Sequence, residues 1–357
     1  MEEQVSNNEQ SKPFTLVSFD FHGKAAEFWR IWIVNVLLSV ITLGIYSAWA
    51  KVRTMRYFYG NTELDGHRFN YLATPLQVLK GRIIAVVLFG LYYLTSSLFP
   101  VVGLILMIAL LFLFPFFICS SLRFNLRMSS YRNVKFDFKG QYGQALVNFL
   151  ILPIASIFTL YLALPWVLKR IDSFLISNVR YGDKQFQAEL STTKYYSASL
   201  ITVFMMLIAF ALFAVVLGVV GMSFAQFATE ETPQFSWALV VMFAFYIIIL
   251  NVVGAYYQAT IRNHIFNNTK VDNVAEFTSS FDFLSLAWLH LSNLVLIMCT
   301  FALAYPWAKI RAAQYAINHT QVKLSDEKEK VIDQLGEHQT AIGDELANVF
   351  DVDIALT

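Results

Sequence analysis

The chain has 357 residues, of which 57% are apolar and only 14% charged, with a formal net charge of +1. A soluble domain runs nearer to about 45–50% apolar and about 25% charged, so the composition excludes a soluble two-domain protein, a disordered chain and a disulfide scaffold. The two cysteines, Cys119 and Cys299, stand inside apolar stretches and read as small buried hydrophobes.

The first dozen residues are polar, with Glu2, Glu3 and Glu9, and carry no basic stretch ahead of a short apolar core, so no cleavable signal peptide is expected. Seven apolar stretches follow, at roughly 31–50, 83–99, 101–119, 146–168, 198–222, 236–257 and 287–308. About 20 apolar residues at 1.5 Å rise span a hydrocarbon core of about 30 Å, and Pro100 breaks the second stretch from the third. The expected fold is an all-α, multi-pass membrane protein with seven apolar segments in a 3+3+1 internal repeat, and with short strands capping its cytoplasmic side. The expected divisions are 1–135, a first repeat with a polar N-terminal tail; 136–280, a second; 281–324, a truncated third; and 325–357, an acidic tail.

The repeat rests on spacing. Phe19-Asp20-Phe21, Phe136-Asp137-Phe138 and Phe281-Asp282-Phe283 open the copies. Each leads to a polar code: Asn35, Thr42, Trp49, Arg53; then Asn148, Thr159, Trp166, Arg170; then Asn293, Thr300, Trp307, Arg311. Thr to Trp is seven residues and Trp to Arg four in every copy. Asn to Thr is seven in the first and third copies and eleven in the second, which reads as an insertion of one helical turn. On a single helix at 100° per residue, Asn35, Thr42, Trp49 and Arg53 fall within about 40° of one another, a polar ridge. Two readings stand: Asn and Thr satisfy helix contacts in lipid, at roughly 0.6 kcal/mol each, or three ridges converge on a polar cavity. The Trp and Arg positions, with Lys51, Arg56, Lys169 and Lys309 close by, read as anchors at the headgroup level.

A short polar step follows each of the three Trp-bearing segments, at Asn61-Thr62, Asn178-Val179 and Asn318-His319-Thr320, and recurs as Asn268-Thr269 after the helix that ends in Arg262. A Phe stands eight residues beyond Asn61 and Asn178, at Phe69 and Phe186, with Gly66 and Gly182 between. Strands are expected at 14–21, 67–73, 134–139, 184–190 and 277–283.

The run Phe19-x-Phe21-x-Gly23, then Asn35-Val36-Leu37-Leu38, Thr42-Leu43-Gly44-Ile45-Tyr46 and Trp49-Ala50, closely resembles the YjgN-like family of bacterial inner-membrane proteins, a domain of unknown function. Asn61-Thr62, Gly66, Phe69 and the acidic stretch Glu345 to Ile354 fit the same pattern; the third copy lacks a Gly after Phe283, and Val179 stands where Thr is usual. The resemblance implies a multi-pass location in the bacterial inner membrane and no activity, so it carries over no catalytic residue.

Charge and ridge disagree on topology. If all seven segments cross, the basic stretches 51–82, 120–144 and 169–195 cannot all be cytoplasmic. If the three repeat-opening segments dip in and return, every basic stretch is cytoplasmic, but the ridge breaks, at Gly44 or near Pro153. The count of full crossings is open between four and seven. In the tail, 325–357, nine acids face Lys328 and Lys330, and apolar residues at helical spacing predict either a solvated terminus or a helix docking on the protein's own basic loops or on a partner protein.

No metal-ligand spacing, phosphate loop or nucleophile elbow is present in the sequence, so the expectation is a non-enzyme without cofactor or metal. Anionic lipid headgroups explain the basic loops better than nucleic acid does. The leading expectation is transport or binding of a small or amphipathic solute in a cavity lined by Asn35, Thr42, Asn148, Thr159, Asn293 and Thr300. The alternative is a membrane scaffold that binds proteins through its strands and acidic tail.

Overall fold

Among the described residues strand and helix follow one order: strand, two helices, strand. The computed structural model describes residues 14–220, 237–272 and 274–325, and within these the order recurs five times. Unit 1 is β1 (Phe14–Phe21), α1 (Ala25–Ile41), α2 (Ser47–Gly60) and β2 (Thr62–Leu64). Unit 2 is β3 (His67–Tyr71), α3 (Pro75–Leu98), α4 (Pro100–Arg127) and β4 (Ser129–Tyr131). Unit 3 is β5 (Val134–Phe138), α5 (Tyr142–Phe158, with a π turn over Val147–Ile151), α6 (Leu164–Ser177) and β6 (Val179–Tyr181). Unit 4 is β7 (Lys184–Ala188), α7 (Thr192–Val220), α8 (Trp237–Asn267) and β8 (Thr269–Val271). Unit 5 is β9 (Ala275–Ser279), α9 (Phe283–Cys299), α10 (Tyr305–Asn318) and β10 (Thr320–Ser325).

The all-α expectation is wrong. The ten strands pair antiparallel into a closed barrel, with β1 joining β10 to β2. Strands of three to eight residues are too short to stand alone; closure gives each backbone edge a partner. Five cross-strand pairs hold the register: Phe19 with Leu64, Phe69 with Tyr131, Phe136 with Tyr181, Phe186 with Val271 and Phe277 with Val322. Each unit thus sends one Phe and one bulky partner to the barrel core, where Val134 and Val322 are almost fully buried. Asp65-Gly66 and Arg132-Asn133 turn two of the hairpins with positive φ at both residues, the conformation that matches strand twist.

Of the seven expected apolar segments, four correspond to helices of spanning length. The helices long and apolar enough to span, among the described residues, are Pro75–Leu98, Pro100–Arg127, Thr192–Val215 and Phe243–Asn267, which belong to units 2 and 4. Units 1, 3 and 5 are short helical hairpins, and all three reverse at the same place. The chain turns left-handed at Leu43-Gly44, Leu160-Tyr161 and Phe301-Ala302. The preceding threonine clamps each turn. Thr42 donates to the Leu38 carbonyl and accepts from the Tyr46 amide; Thr159 donates to Ser156 and accepts from Ala163; Thr300 donates to Leu296 and accepts from Ala304. Leu43, Leu160 and Phe301 project from the tips, 94%, 84% and 93% exposed, as apolar plugs suited to lipid. The continuous ridge is therefore broken: Asn and Thr lie on the first leg, Trp and Arg on the second.

The register of the copies also changes. The strand Phe stands 23 residues before the tip Thr in all three short units, at Phe19, Phe136 and Phe277. No turn is inserted in the second; Leu152, not Asn148, matches Asn35. The third Phe-Asp-Phe lies four residues beyond its apparent counterparts, and Asp282 is a helix cap there, accepting from the Ser285 amide at 2.8 Å. The 3+3+1 pattern failed because the Asn that marks most helix exits is missing from Met128-Ser129, which hides the end of unit 2. Ser129 still donates back to Asn125, as Thr62, Thr269 and Thr320 do to their helices. The expected docking helix in the acidic tail lies outside the described residues.

Candidate functional site

Two cavities lie in series along the barrel. The upper, about 230 Å³, is inside the barrel; it is lined by Phe19, Phe69, Phe136, Phe186, Phe277 and their strand partners, with Asp65 as its one charged residue. The lower, about 430 Å³, lies beneath it among Leu122 and Leu126 of α4, Leu175 of α6 and Ile265 of α8. Both share Phe186 and Phe277, whose rings stack 5.8 Å apart at 20°. An apolar cavity of about 150 Å³ already stays dry and admits benzene, so both spaces favour apolar groups over water.

Tyr131 and Tyr181 stiffen the barrel wall from inside. The Tyr181 hydroxyl donates to the Tyr131 carbonyl at 3.0 Å, and the Tyr131 hydroxyl to the Leu64 carbonyl at 2.8 Å. Burial, helped by the charge of Asp65 and opposed by Arg132, pushes Tyr131 up to about 12, so it stays a neutral donor. On the rim, Asp137 accepts from Arg127 at 2.8 Å and pairs with Lys139 at 3.1 Å. Burial acts to raise that carboxyl, but these bonds and the Phe138 amide hold it below its ordinary value.

The expected polar ridges do not converge. Around the barrel, units 1 and 5 are neighbours through β1 and β10, while units 2 and 4 flank unit 3. Thr42, Thr159 and Thr300 are consumed by their turns. Asn293 is satisfied within unit 5, donating to the Ala308 carbonyl at 3.3 Å and accepting from Arg311 at 2.8 Å. Asn148 donates to its own helix at Gln144 and lines a separate groove with Arg170. Asn35 alone of the three is buried without a partner at either side-chain atom. It faces a groove of about 550 Å³ shared by α1, α2, α3 and α10. Of the expected anchors, Arg170 and Arg311 lie over Trp166 and Trp307, at 5.4 and 4.4 Å from the ring centroids. Trp49 stacks on Tyr46, and Arg53 is exposed.

The barrel phenylalanines were missed as a site. Their signal was present in part, as a Phe eight residues beyond Asn61 and Asn178, but it reads as a strand marker until closure brings the five rings together.

No solved structure matches the chain. It is 26% identical over 348 residues to the inner membrane protein YjgN of Escherichia coli O157:H7, covering 85% of this chain and 87% of that protein. It is 26% identical over 368 residues to inner membrane protein YjgN of Salmonella typhimurium, covering 89% and 91%. Relatives of that name and four apolar helices of spanning length make it a multi-pass protein of the bacterial inner membrane. A profile described as bacterial protein of unknown function (DUF898) matches residues 17–349, and the chain belongs to that family.

Proposed function

We propose that this protein binds an amphipathic, lipid-like solute along its barrel axis and passes it between the bilayer and the barrel. The supporting observation is the pair of apolar-lined cavities that share the stacked Phe186 and Phe277 rings, one walled by strands and the other mostly by the second legs of units 2, 3 and 4. We place the barrel on the cytoplasmic side. No Lys or Arg lies between Arg82 and Arg123 or between Lys194 and Arg262, so both long hairpins carry their basic residues at the barrel end. The tip threonines serve the hairpin turns in this reading, and the solute path runs through the aromatic barrel instead. The five units read as copies of one module that closes only when all five are present.

The scaffold reading has less support. Among the described residues the large apolar side chain exposed on the strands is Leu16, too little for a protein-docking patch.

The test is full-length protein in lipid nanodiscs with a spin-labelled fatty acid or lysolipid. Wild type should immobilise the chain, and Phe186→Trp, which fills the partition, should abolish immobilisation while the protein stays folded. Equal immobilisation by both proteins would reject the axis as the binding path.

A further inference from the structure

The groove between units 1 and 5 carries an arrangement that neither the fold nor the barrel cavities require. Its side chains include Lys51 of α2, Arg82 of α3 and Lys309 of α10, and no acidic residue lines it. Among the described residues none of the three cations is in an ion pair. Arg82 donates to the Ser47 hydroxyl, and Lys309 lies 5.1 Å from the Phe58 ring centroid. At its base Asn35, 5% exposed, has both its amide nitrogen and its carbonyl oxygen buried and unpartnered. A buried unpaired amide of this kind costs roughly 1–3 kcal/mol and is rare in a native protein.

The same molecule shows how the amide can be satisfied internally. Asn293 is the matching residue of unit 5, seven positions before the tip threonine. It bonds to Arg311 and to the Ala308 carbonyl across its hairpin. In unit 1 the counterpart of Arg311 is Arg53, which turns outward and is exposed. Asn35 is therefore left open toward three positive charges. One wall of the groove is apolar: Trp32, Val36 and Val40 line it, and Val40 is 69% exposed on the hairpin flank that faces lipid.

From this geometry we infer that the groove binds the phosphate group of an anionic amphipath, with its chain lying on Trp32, Val36 and Val40. Lys51, Arg82 and Lys309 supply the charge, and the Asn35 amide donates to a phosphate oxygen. Charge-assisted bonds to phosphate are about twice as strong as neutral ones, and a phosphate oxygen would give the orphan Asn35 N–H its acceptor. The site is separate from the barrel axis and does not depend on the function proposed for it.

The experiment is native mass spectrometry of the full-length, delipidated protein, titrated with phosphatidylglycerol, with phosphatidylcholine and with inorganic phosphate. One phosphatidylglycerol should bind at least tenfold tighter than phosphatidylcholine, and inorganic phosphate at the same concentration should not displace it. The Lys51→Gln, Arg82→Gln, Lys309→Gln triple variant should lose at least tenfold in affinity. Asn35→Leu should lose several-fold while raising the thermal midpoint, because it removes two unsatisfied polar atoms. Phe186→Trp, which lies outside the groove, should keep the wild-type preference for phosphatidylglycerol over phosphatidylcholine. Equal affinity for the two lipids by wild type, which needs no variant to fold, would overturn the inference; so would a folded triple variant with unchanged affinity. Displacement by inorganic phosphate would overturn the assignment to an amphipath.

Discussion

Thr300→Val tests the hairpin tips directly. Valine keeps the shape of threonine and removes only the hydroxyl. In the structure that hydroxyl donates to the Leu296 carbonyl at 2.7 Å and accepts from the Ala304 amide at 3.0 Å. The loss includes a net bond worth about 0.5–1.5 kcal/mol, and it strands an amide among apolar neighbours at a further cost of about 1–3 kcal/mol. The left-handed residues Phe301 and Ala302 lose their clamp at the same moment; non-glycine residues hold that conformation at about 1–2 kcal/mol each. The expected destabilisation is about 2–3 kcal/mol, with Thr300→Ser, which retains the hydroxyl, within about 1 kcal/mol of wild type. Denaturant titration in detergent micelles reads the first quantity, and hydrogen exchange at the Ala304 amide reads the local opening. Thr95→Val is the control. Thr95 makes a single bond back to Leu91 within a spanning helix and closes no turn; it should change stability by less than about 0.5 kcal/mol. If Thr300→Val unfolds at the wild-type midpoint with unchanged protection at Ala304, the clamp is not what holds the tip.

Three further outcomes are expected. Gly140→Ala should destabilise by about 1–3 kcal/mol in the same titration, because the added methyl would meet the Phe138 ring and come within 2.9 Å of Phe174. Tyr181→Phe should cost about 0.5–1.5 kcal/mol by removing the bond to the Tyr131 carbonyl, with no change in far-ultraviolet dichroism. Asp137→Asn should be about 0.2–1 kcal/mol less stable than wild type near pH 7, a small value because Arg127 is half-exposed. The Asp137 carboxyl titrates lower in the folded chain than unfolded, so its contribution is complete above the unfolded value of about 3.9 and is lost as pH falls through the lower folded one. The two proteins should therefore converge in stability as pH falls below about 3.9 and through the lower folded value, read by the same titration.

Strand positions were legible because aromatic and β-branched residues alternate between turn signals. The stretches at 14–21, 67–73, 134–139 and 184–190 contain β1, β3, β5 and β7. The fifth, at 277–283, began two residues after Ala275 and ran four past the end of β9, pulled along by the chance Phe-Asp-Phe. The three-residue partners β2, β4, β6 and β8 were invisible, since a stretch that short has no period to read. The polar code held its spacing but not its meaning. Seven residues from Thr to Trp suits one continuous helix and equally a hairpin whose reversal sits between them.

By itself the sequence determined that this chain lives in a membrane, that no Lys or Arg lies between Arg82 and Arg123 or between Lys194 and Arg262, and that one spacing of Thr, Trp and Arg recurs. Those are properties of composition and local period, which no packing can alter. Only the tertiary structure decided that the unit is counted five times, that three of the seven apolar segments turn back, and that five phenylalanines distant in the chain face one another. Barrel closure and the pairing of units 1 and 5 join residues hundreds of positions apart, and no local pattern encodes which ends will meet. For the same reason Asn35 and Asn293, alike in sequence, differ in their surroundings: Asn293 finds an arginine across its hairpin and Asn35 does not.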